Sequence, residues 1–187
     1  YSFTCNIQCA HCIVEGGPHN KEKFALDKAK DILYHAALNG KKMVVLTGGE
    51  IFLFYDELLE LIKCAKKYNF YIAIETNGFW AINEKKVKDT LSTLKQLGLN
   101  EIYTSADAFH MQFVPIENII LLRKISHELN LICEINFYRS GDEDYDQHIL
   151  HSLGYDVDNP EYFTETLSVG GRDVSSYLAA DDFVYPY

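Results

Sequence analysis

This chain lacks any apolar run of the roughly 18 residues that a bilayer-crossing helix needs, and it shows no secretory leader. Positive charge is scarce: 17 lysines and arginines stand against 27 aspartates and glutamates, a net charge of −10. With no basic stripe to follow a phosphate backbone, RNA and DNA are disfavoured as partners. The densest basic stretch, Lys85-Lys86-Val87-Lys88, reads as the solvated face of a helix. Four prolines, no low-complexity stretch and no linker composition leave nothing to divide the 187 residues, which read as one domain with ample core. Cysteines number five, an odd count without secretory context, so a disulfide framework is disfavoured and a reducing cytoplasm expected. An initiating methionine is missing too. The expectation is that residues precede Tyr1, and the aromatic ending VYPY fits a second cut.

What is present alternates between two periods. Leu26, Ala29, Leu33, Ala36 and Ala37 recur at helical spacing up to Asn39-Gly40. The strand KMVVLTGG (42–49), the helix 55–69, the strand YIAIETNG (71–78) and the helix 82–98 follow. Then come the strand EIYTSAD (101–107), the helix 115–130 with Pro115 in its first turn, and the strand LICEINF (131–137). The spacing predicts a helix over 144–153 and a last strand at ETLSVGG (165–171). Crossovers of this length require parallel pairing, so the class is α/β.

Period-2 alternation sorts the strand residues. Glu75 and Asn77 share one face while Ile72 and Ile74 share the other; Ser105 and Asp107 oppose Ile102; Glu134 and Asn136 oppose Cys133, Ile135 and Phe137. Strands buried between two helix layers are apolar on both faces. One face here turns polar toward each strand's C-terminal end, which predicts a barrel or half-barrel with helices outside and a polar ligand at its C-terminal mouth.

The densest chemistry is CNIQCAHC, with Cys5, Cys9 and Cys12 inside eight residues. Four readings stand: buried structural thiols, a catalytic nucleophile, a zinc site completed by His11 or His19, and an iron–sulfur cluster. Polar neighbours argue against the first, three thiols without a base against the second, and the missing fourth ligand against the third. A cubane held by three thiolates keeps one iron open to another ligand.

Cys5-x3-Cys9-x2-Cys12, with aromatic His11 before the last cysteine, resembles the CxxxCxΦC loop of the radical S-adenosylmethionine (SAM) superfamily. Further segments are similar in the family's order: Thr47-Gly48-Gly49-Glu50 to its GGE motif, Glu75-Thr76-Asn77-Gly78 to its TNG segment, Ser105-Ala106-Asp107 to its S-x-D, and Gly170-Gly171-Arg172 to its late GR segment. The resemblance implies a partial (β/α)6 barrel of parallel strands with helices outside, its first strand lying mostly upstream of Cys5. It implies a [4Fe–4S] cluster on Cys5, Cys9 and Cys12, with SAM on the open iron. It implies that Gly48, Gly49 and Glu50 bind the SAM amino group, Glu50 as its acceptor. Asn77, Ser105 and Asp107 are placed at the ribose or carboxylate, with Asn136 and Arg139 as further candidates. The implied activity is one-electron cleavage of SAM to a 5′-deoxyadenosyl radical that abstracts hydrogen from a small molecule or a peptide. Peptide or natural-product maturation is favoured, with glycyl-radical activation as an alternative and a flavodoxin or ferredoxin as electron donor.

The chain departs from many relatives in having Ile51 after GGE where they have proline. Cys64 and Cys133 read as core residues, so these residues hold no auxiliary cluster. His110 is a candidate for substrate contact or proton movement, and Glu75 and Glu134 for substrate binding; Phe79-Trp80 reads as packing. The rival from another class is a non-enzymatic zinc-binding module.

Overall fold

The computed structural model describes residues 1–155. Helices and strands alternate: α1 (Leu26–Leu38), β1 (Met43–Leu46), α2 (Tyr55–Lys67), β2 (Tyr71–Thr76), α3 (Glu84–Leu97), β3 (Glu101–Ser105), α4 (Ile116–Glu128), β4 (Ile132–Asn136) and α5 (Glu143–Ser152). All four strands are parallel, in the order β1-β2-β3-β4. The described residues thus form a wall of consecutive βα units. The predicted strand at 165–171 and the Gly170-Gly171-Arg172 segment lie outside them.

Local sequence explains the elements. In α2, Leu58, Leu61, Ile62 and Ala65 fall at helical spacing and are all buried, with Asp56 and Glu57 in the first turn and Lys66 and Lys67 in the last. The Asn83 side chain accepts from Lys86 N to start α3, which stops at Gly98 with φ 114°. Asp142 caps α5 in the same way through Tyr145 N. Pro115 is the residue before α4 rather than its first turn.

Register carries the face pattern across the sheet. Leu46, Ile74 and Ile102 lie side by side, as do Val44 and Ile72, and they pack with Leu58, Leu61, Leu91, Leu94, Leu122 and Ile125 in the main core. On the opposite face Glu75 lies beside Tyr103, Tyr103 beside Glu134, and Ser105 beside Asn136. The polar face foreseen from alternation is the inner face of the wall. Cys133 and Cys64 are half-buried at the margin of the core rather than inside it.

The N-terminal segment continues the wall past the end of β1. The Tyr1 amine donates to Thr47 O at 2.7 Å, Gly49 N to Ser2 O at 2.5 Å and Glu50 N to Thr4 O at 2.8 Å. One turn of 3₁₀ helix, Ile51–Phe54, follows, a feature the sequence pattern did not indicate. Trp80, the only tryptophan of the chain, is buried and stacks on Phe52 with ring centroids 4.2 Å apart. Its Nε1 donates to Thr76 Oγ1 at 3.1 Å. Among the described residues, no helix is long and apolar enough to cross a membrane.

Candidate functional site

The cysteine loop is closed by backbone pairing at its base, Cys5 N to Gly17 O at 3.2 Å and Gly17 N to Phe3 O at 3.0 Å. Cys5 and Cys9 are buried, Cys12 is half-buried, and all three are free thiols. Two of the sulfurs meet an N–H donor: Asn77 Nδ2 donates to Cys5 Sγ at 3.7 Å and Gly16 N to Cys12 Sγ at 3.3 Å. Burial pushes the Cys5 thiol up to about 11.

Two glycines bring the loop to the strand ends. A Cβ on Gly49 would stand 2.1 Å from Thr4 O, and one on Gly48 2.4 Å from Ser2 O. The close approach that these glycines permit is therefore made first by the chain's own N-terminal segment.

Glu50 does work that the motif did not announce. Its carboxylate is fully buried: Oε1 accepts from Phe52 N at 3.0 Å and Thr76 Oγ1 at 2.9 Å, and Oε2 accepts from Asn77 N at 2.7 Å. Burial pushes its carboxyl up to about 7, against the downward pull of these three donors. The side chain ties the turn after β1 to the end of β2, and it does not line the pocket. The resemblance gave Glu50 to the SAM ammonium; in the structure its two oxygens accept three hydrogen bonds from the chain itself. Next to it, Asn77 Oδ1 accepts from Phe79 N at 3.0 Å, and Asn77 Nδ2 donates to Asn6 Oδ1 at 2.9 Å.

Asp107 is likewise bonded within its own chain. The chain leaves β3 after Ser105 and turns, with His110 N and Met111 N donating to Asp107 O at 3.0 and 2.9 Å. The Asp107 carboxylate, fully buried, accepts from Phe109 N at 3.0 Å and His110 N at 3.1 Å, and lies 2.9 and 3.0 Å from His110 Nδ1. Burial alone would lower the His110 pKa, but Asp107 and Cys9 outweigh it and hold it at about 10. His11, 3.8 Å from Asp107 through Nε2, goes the other way: burial takes it down to about 4.

The pocket at this mouth is lined by the three cysteines, Gly48, Gly49, Glu75, Asn77, Ser105 and His110. Of the sequence candidates, Glu50, Asp107, Asn136 and Arg139 do not line it; the Asn136 carbonyl accepts from Ala106 N, and Arg139 is exposed. Glu134 also lies outside it. Glu75 does line it, and its Oε2 accepts from Thr47 Oγ1 at 2.5 Å. Sequence reasoning missed Thr47, Tyr138 and the His11 ring as lining groups. The ring of His11 is packed among Phe109, His110 and Tyr138, with centroids 4.5, 5.0 and 4.9 Å away. The position of Tyr138 two residues after a parallel strand was the available signal for it.

The donor set decides what these thiols fit. A single tetrahedral zinc bonded at about 2.3 Å brings its sulfurs within about 3.8 Å of one another. Among the described residues, the one group of three ligating atoms lying mutually within 4.8 Å is His11, Asp107 and His110, not the cysteines. Three thiols that share a pocket without converging, two of them beside an N–H donor, suit separate irons of one cluster.

Comparison with known proteins agrees. Among curated proteins, the chain is 29% identical over 152 residues to YydG of Bacillus subtilis (strain 168), named provisionally as a peptide biosynthesis protein, covering 80% of this chain and 47% of YydG. It is 27% identical over 141 residues to MJ1632 of Methanocaldococcus jannaschii, named provisionally as a glycyl-radical enzyme activating enzyme, covering 73% and 51%. Over 97 residues it is 33% identical to the antilisterial bacteriocin subtilosin biosynthesis protein AlbA of Bacillus subtilis (strain 168), covering 49% and 20%. Streptococcus suis SuiB, solved bound to S-adenosylmethionine, shares the fold with a TM-score of 0.60 at 19% identity, over 83% of this chain and 37% of SuiB. The chain spans about half the length of YydG and MJ1632. The model of the radical SAM superfamily, whose members use a [4Fe–4S] cluster and SAM, matches residues 1–131. With that match over most of its length, the cysteine loop at the mouth and the parallel βα wall behind it, the chain belongs to the radical SAM superfamily.

Proposed function

We propose that residues 1–187 are the core domain of a radical SAM enzyme that modifies a peptide. The observation that carries this reading is the meeting of Cys5, Cys9 and Cys12 with the Gly48-Gly49 turn, Glu75 and Ser105 around one pocket. Once bound, a [4Fe–4S] cluster and SAM supply the one-electron cleavage and the 5′-deoxyadenosyl radical that takes hydrogen from the substrate.

The protein's share is binding, orientation and exclusion of water. Cys5, Cys9 and Cys12 hold the cluster, and the N–H donors beside the Cys5 and Cys12 sulfurs stabilise those thiolates. SAM brings an ammonium and a sulfonium into the pocket, and of the described residues lining it Glu75 is the one carboxylate. Glu75 therefore takes over the ammonium that the motif assigned to Glu50, while Thr47, Asn77 and Ser105 offer neutral hydrogen-bonding groups to the rest of SAM. Asn136 and Arg139, at and beyond the end of β4, are left for substrate-side contacts. YydG and AlbA, both named for peptide products, support a peptide as substrate. A low-potential donor of the flavodoxin or ferredoxin class supplies the electron.

Two measurements test this. Anaerobic reconstitution with iron and sulfide, dithionite reduction and addition of SAM are expected to give about four irons per chain and 5′-deoxyadenosine. Zinc binding without cluster or product would overturn the reading. Glu75→Gln is expected to raise the Kd for SAM about tenfold or more, equivalent to a charge-assisted hydrogen bond of about 1.5–3 kcal/mol, with iron content unchanged. Titration calorimetry on the reconstituted protein gives both the Kd and the comparison with wild type.

A further inference from the structure

Asn77 ties the cysteine loop to the end of β2. The backbone there is clamped from two sides: Asn77 N donates to Glu50 Oε2 at 2.7 Å, and Asn118 Nδ2 donates to Gly78 O and Phe79 O at 3.4 and 3.3 Å. The side-chain amide has one orientation. Oδ1 accepts from Phe79 N at 3.0 Å, while Nδ2 donates to Asn6 Oδ1 at 2.9 Å and to Cys5 Sγ at 3.7 Å. Turned over, the amide would set oxygen against oxygen at Asn6 and N–H against N–H at Phe79. Both amide protons are thereby committed to the loop, and one lone pair of Oδ1 is left for SAM. The donors at the two sulfurs differ in origin. Gly16 N, beside Cys12 Sγ, lies four positions along the same loop, whereas Asn77 lies 72 positions from Cys5 and belongs to the wall.

We propose that Asn77 is a positioning residue for the cluster: its two amide protons latch the loop to the wall through Asn6 and hold the Cys5 sulfur in place as a ligand. Partners of this kind orient metal ligands and are felt in how firmly the metal is held. The residue is buried, so water does not readily replace the two bonds when they are lost. The turn from Asn77 to Phe79 needs only Oδ1, whereas the latch needs Nδ2, so the two roles come apart in one variant. In Asn77→Asp the carboxylate still accepts from Phe79 N but has no proton to give. It sets acceptor against acceptor at Asn6 and places a negative charge beside the Cys5 thiolate.

This inference rests on the reading of the cysteine loop as the seat of the cluster, and the test separates the two. Wild type, Asn77→Asp, Asn6→Ala, Asn6→Asp and the double variant Asn77→Asp with Asn6→Ala would be reconstituted anaerobically as full chains. Iron would be counted, and its release to an excess of chelator timed without SAM. Asn77→Asp is expected to release iron about tenfold faster than wild type, the loss of a charge-assisted hydrogen bond, with an unchanged circular dichroism spectrum. Asn6→Ala is expected to speed release in the wild-type background, where it removes the acceptor, and to slow it in Asn77→Asp, where it removes the opposed oxygen. A merely structural role would not give that change of sign. An Asn77→Asp chain that keeps its iron as long as wild type overturns the proposal, and so does an Asn6→Ala effect of one sign in both backgrounds. Should Asn77→Asp fail to fold or to load iron, the exposed Asn6 decides. Faster release in Asn6→Ala with wild-type release in Asn6→Asp, which retains an acceptor, supports the latch; any other pattern overturns it. A wild type that takes up no cluster overturns the functional reading, and this inference falls with it.

Discussion

Cys9→Ala is expected to lose the cluster and to bring 5′-deoxyadenosine formation down to the level of a protein-free control, and Cys5→Ala and Cys12→Ala to do the same. A cubane held through three protein sulfurs has no spare ligand among them. Cys9 is the hardest of the three to replace by water, being buried at 5% exposure between its loop and the His110 ring. The remaining cysteines provide the control. Cys64 and Cys133 are half-buried at the edge of the core, neither lines the pocket, and their alanine variants are expected to keep both iron and product. Iron analysis and chromatographic assay of 5′-deoxyadenosine on the five variants check the assignment. A cysteine of the loop whose alanine variant turns over at the wild-type rate is not a ligand.

Glu50→Ala is expected to destabilise the chain by about 3–5 kcal/mol, since it strands three buried donors that a single carboxylate satisfied. For a chain of this size that is a fall in melting temperature of about 10 °C or more. The pH dependence gives a second signature. The buried carboxyl is held at about 7, against an ordinary value of 4.5. Between those values the folded chain holds its proton more tightly than the unfolded one. The residue's contribution to stability is therefore largest below about pH 4.5 and shrinks as the pH rises through 7. Glu50→Gln removes the titrating group at the loss of an acceptor for Asn77 N, and is expected to flatten that part of the profile. Urea midpoints of the metal-free protein across this window are the measurement. A Glu50→Ala variant as stable as wild type but weak in SAM binding would return the residue to the ligand.

Much of the wall was legible because its signals are periodic. Strands β1 to β4 and helices α1 to α5 follow from alternation and from helical spacing, and the facing of Ile72, Ile74 and Ile102 away from Glu75 and Ser105 follows from parity alone. The cysteine loop was legible because ligand spacing is local. What parity could not supply begins where the strands end. Asn77 and Asp107 stand beyond the last paired residue, where their side chains bond to the backbone two or three positions ahead, partners that alternation does not announce. The role of Glu50 was hidden for a related reason: its partners, Thr76 and Asn77, are 26 and 27 positions away, and no local pattern states that they meet. Likewise, a glycine pair after a strand signals a close approach without naming what approaches, which here is the segment Ser2–Thr4.

The stacking of Trp80 on Phe52, with its indole N–H bonded to Thr76, gives the chain an optical reporter at a useful place. Thr76 Oγ1 donates in turn to Glu50, so the lone indole is two hydrogen bonds from the knot that holds the cysteine loop to the wall. Its emission is unmixed with that of any other tryptophan, and burial keeps it toward the blue. Loosening of the knot registers as a red shift before the distant helices unfold. A bound iron–sulfur chromophore registers as quenching. The same cuvette can thus follow assembly of the site and its undoing in real time, without a label.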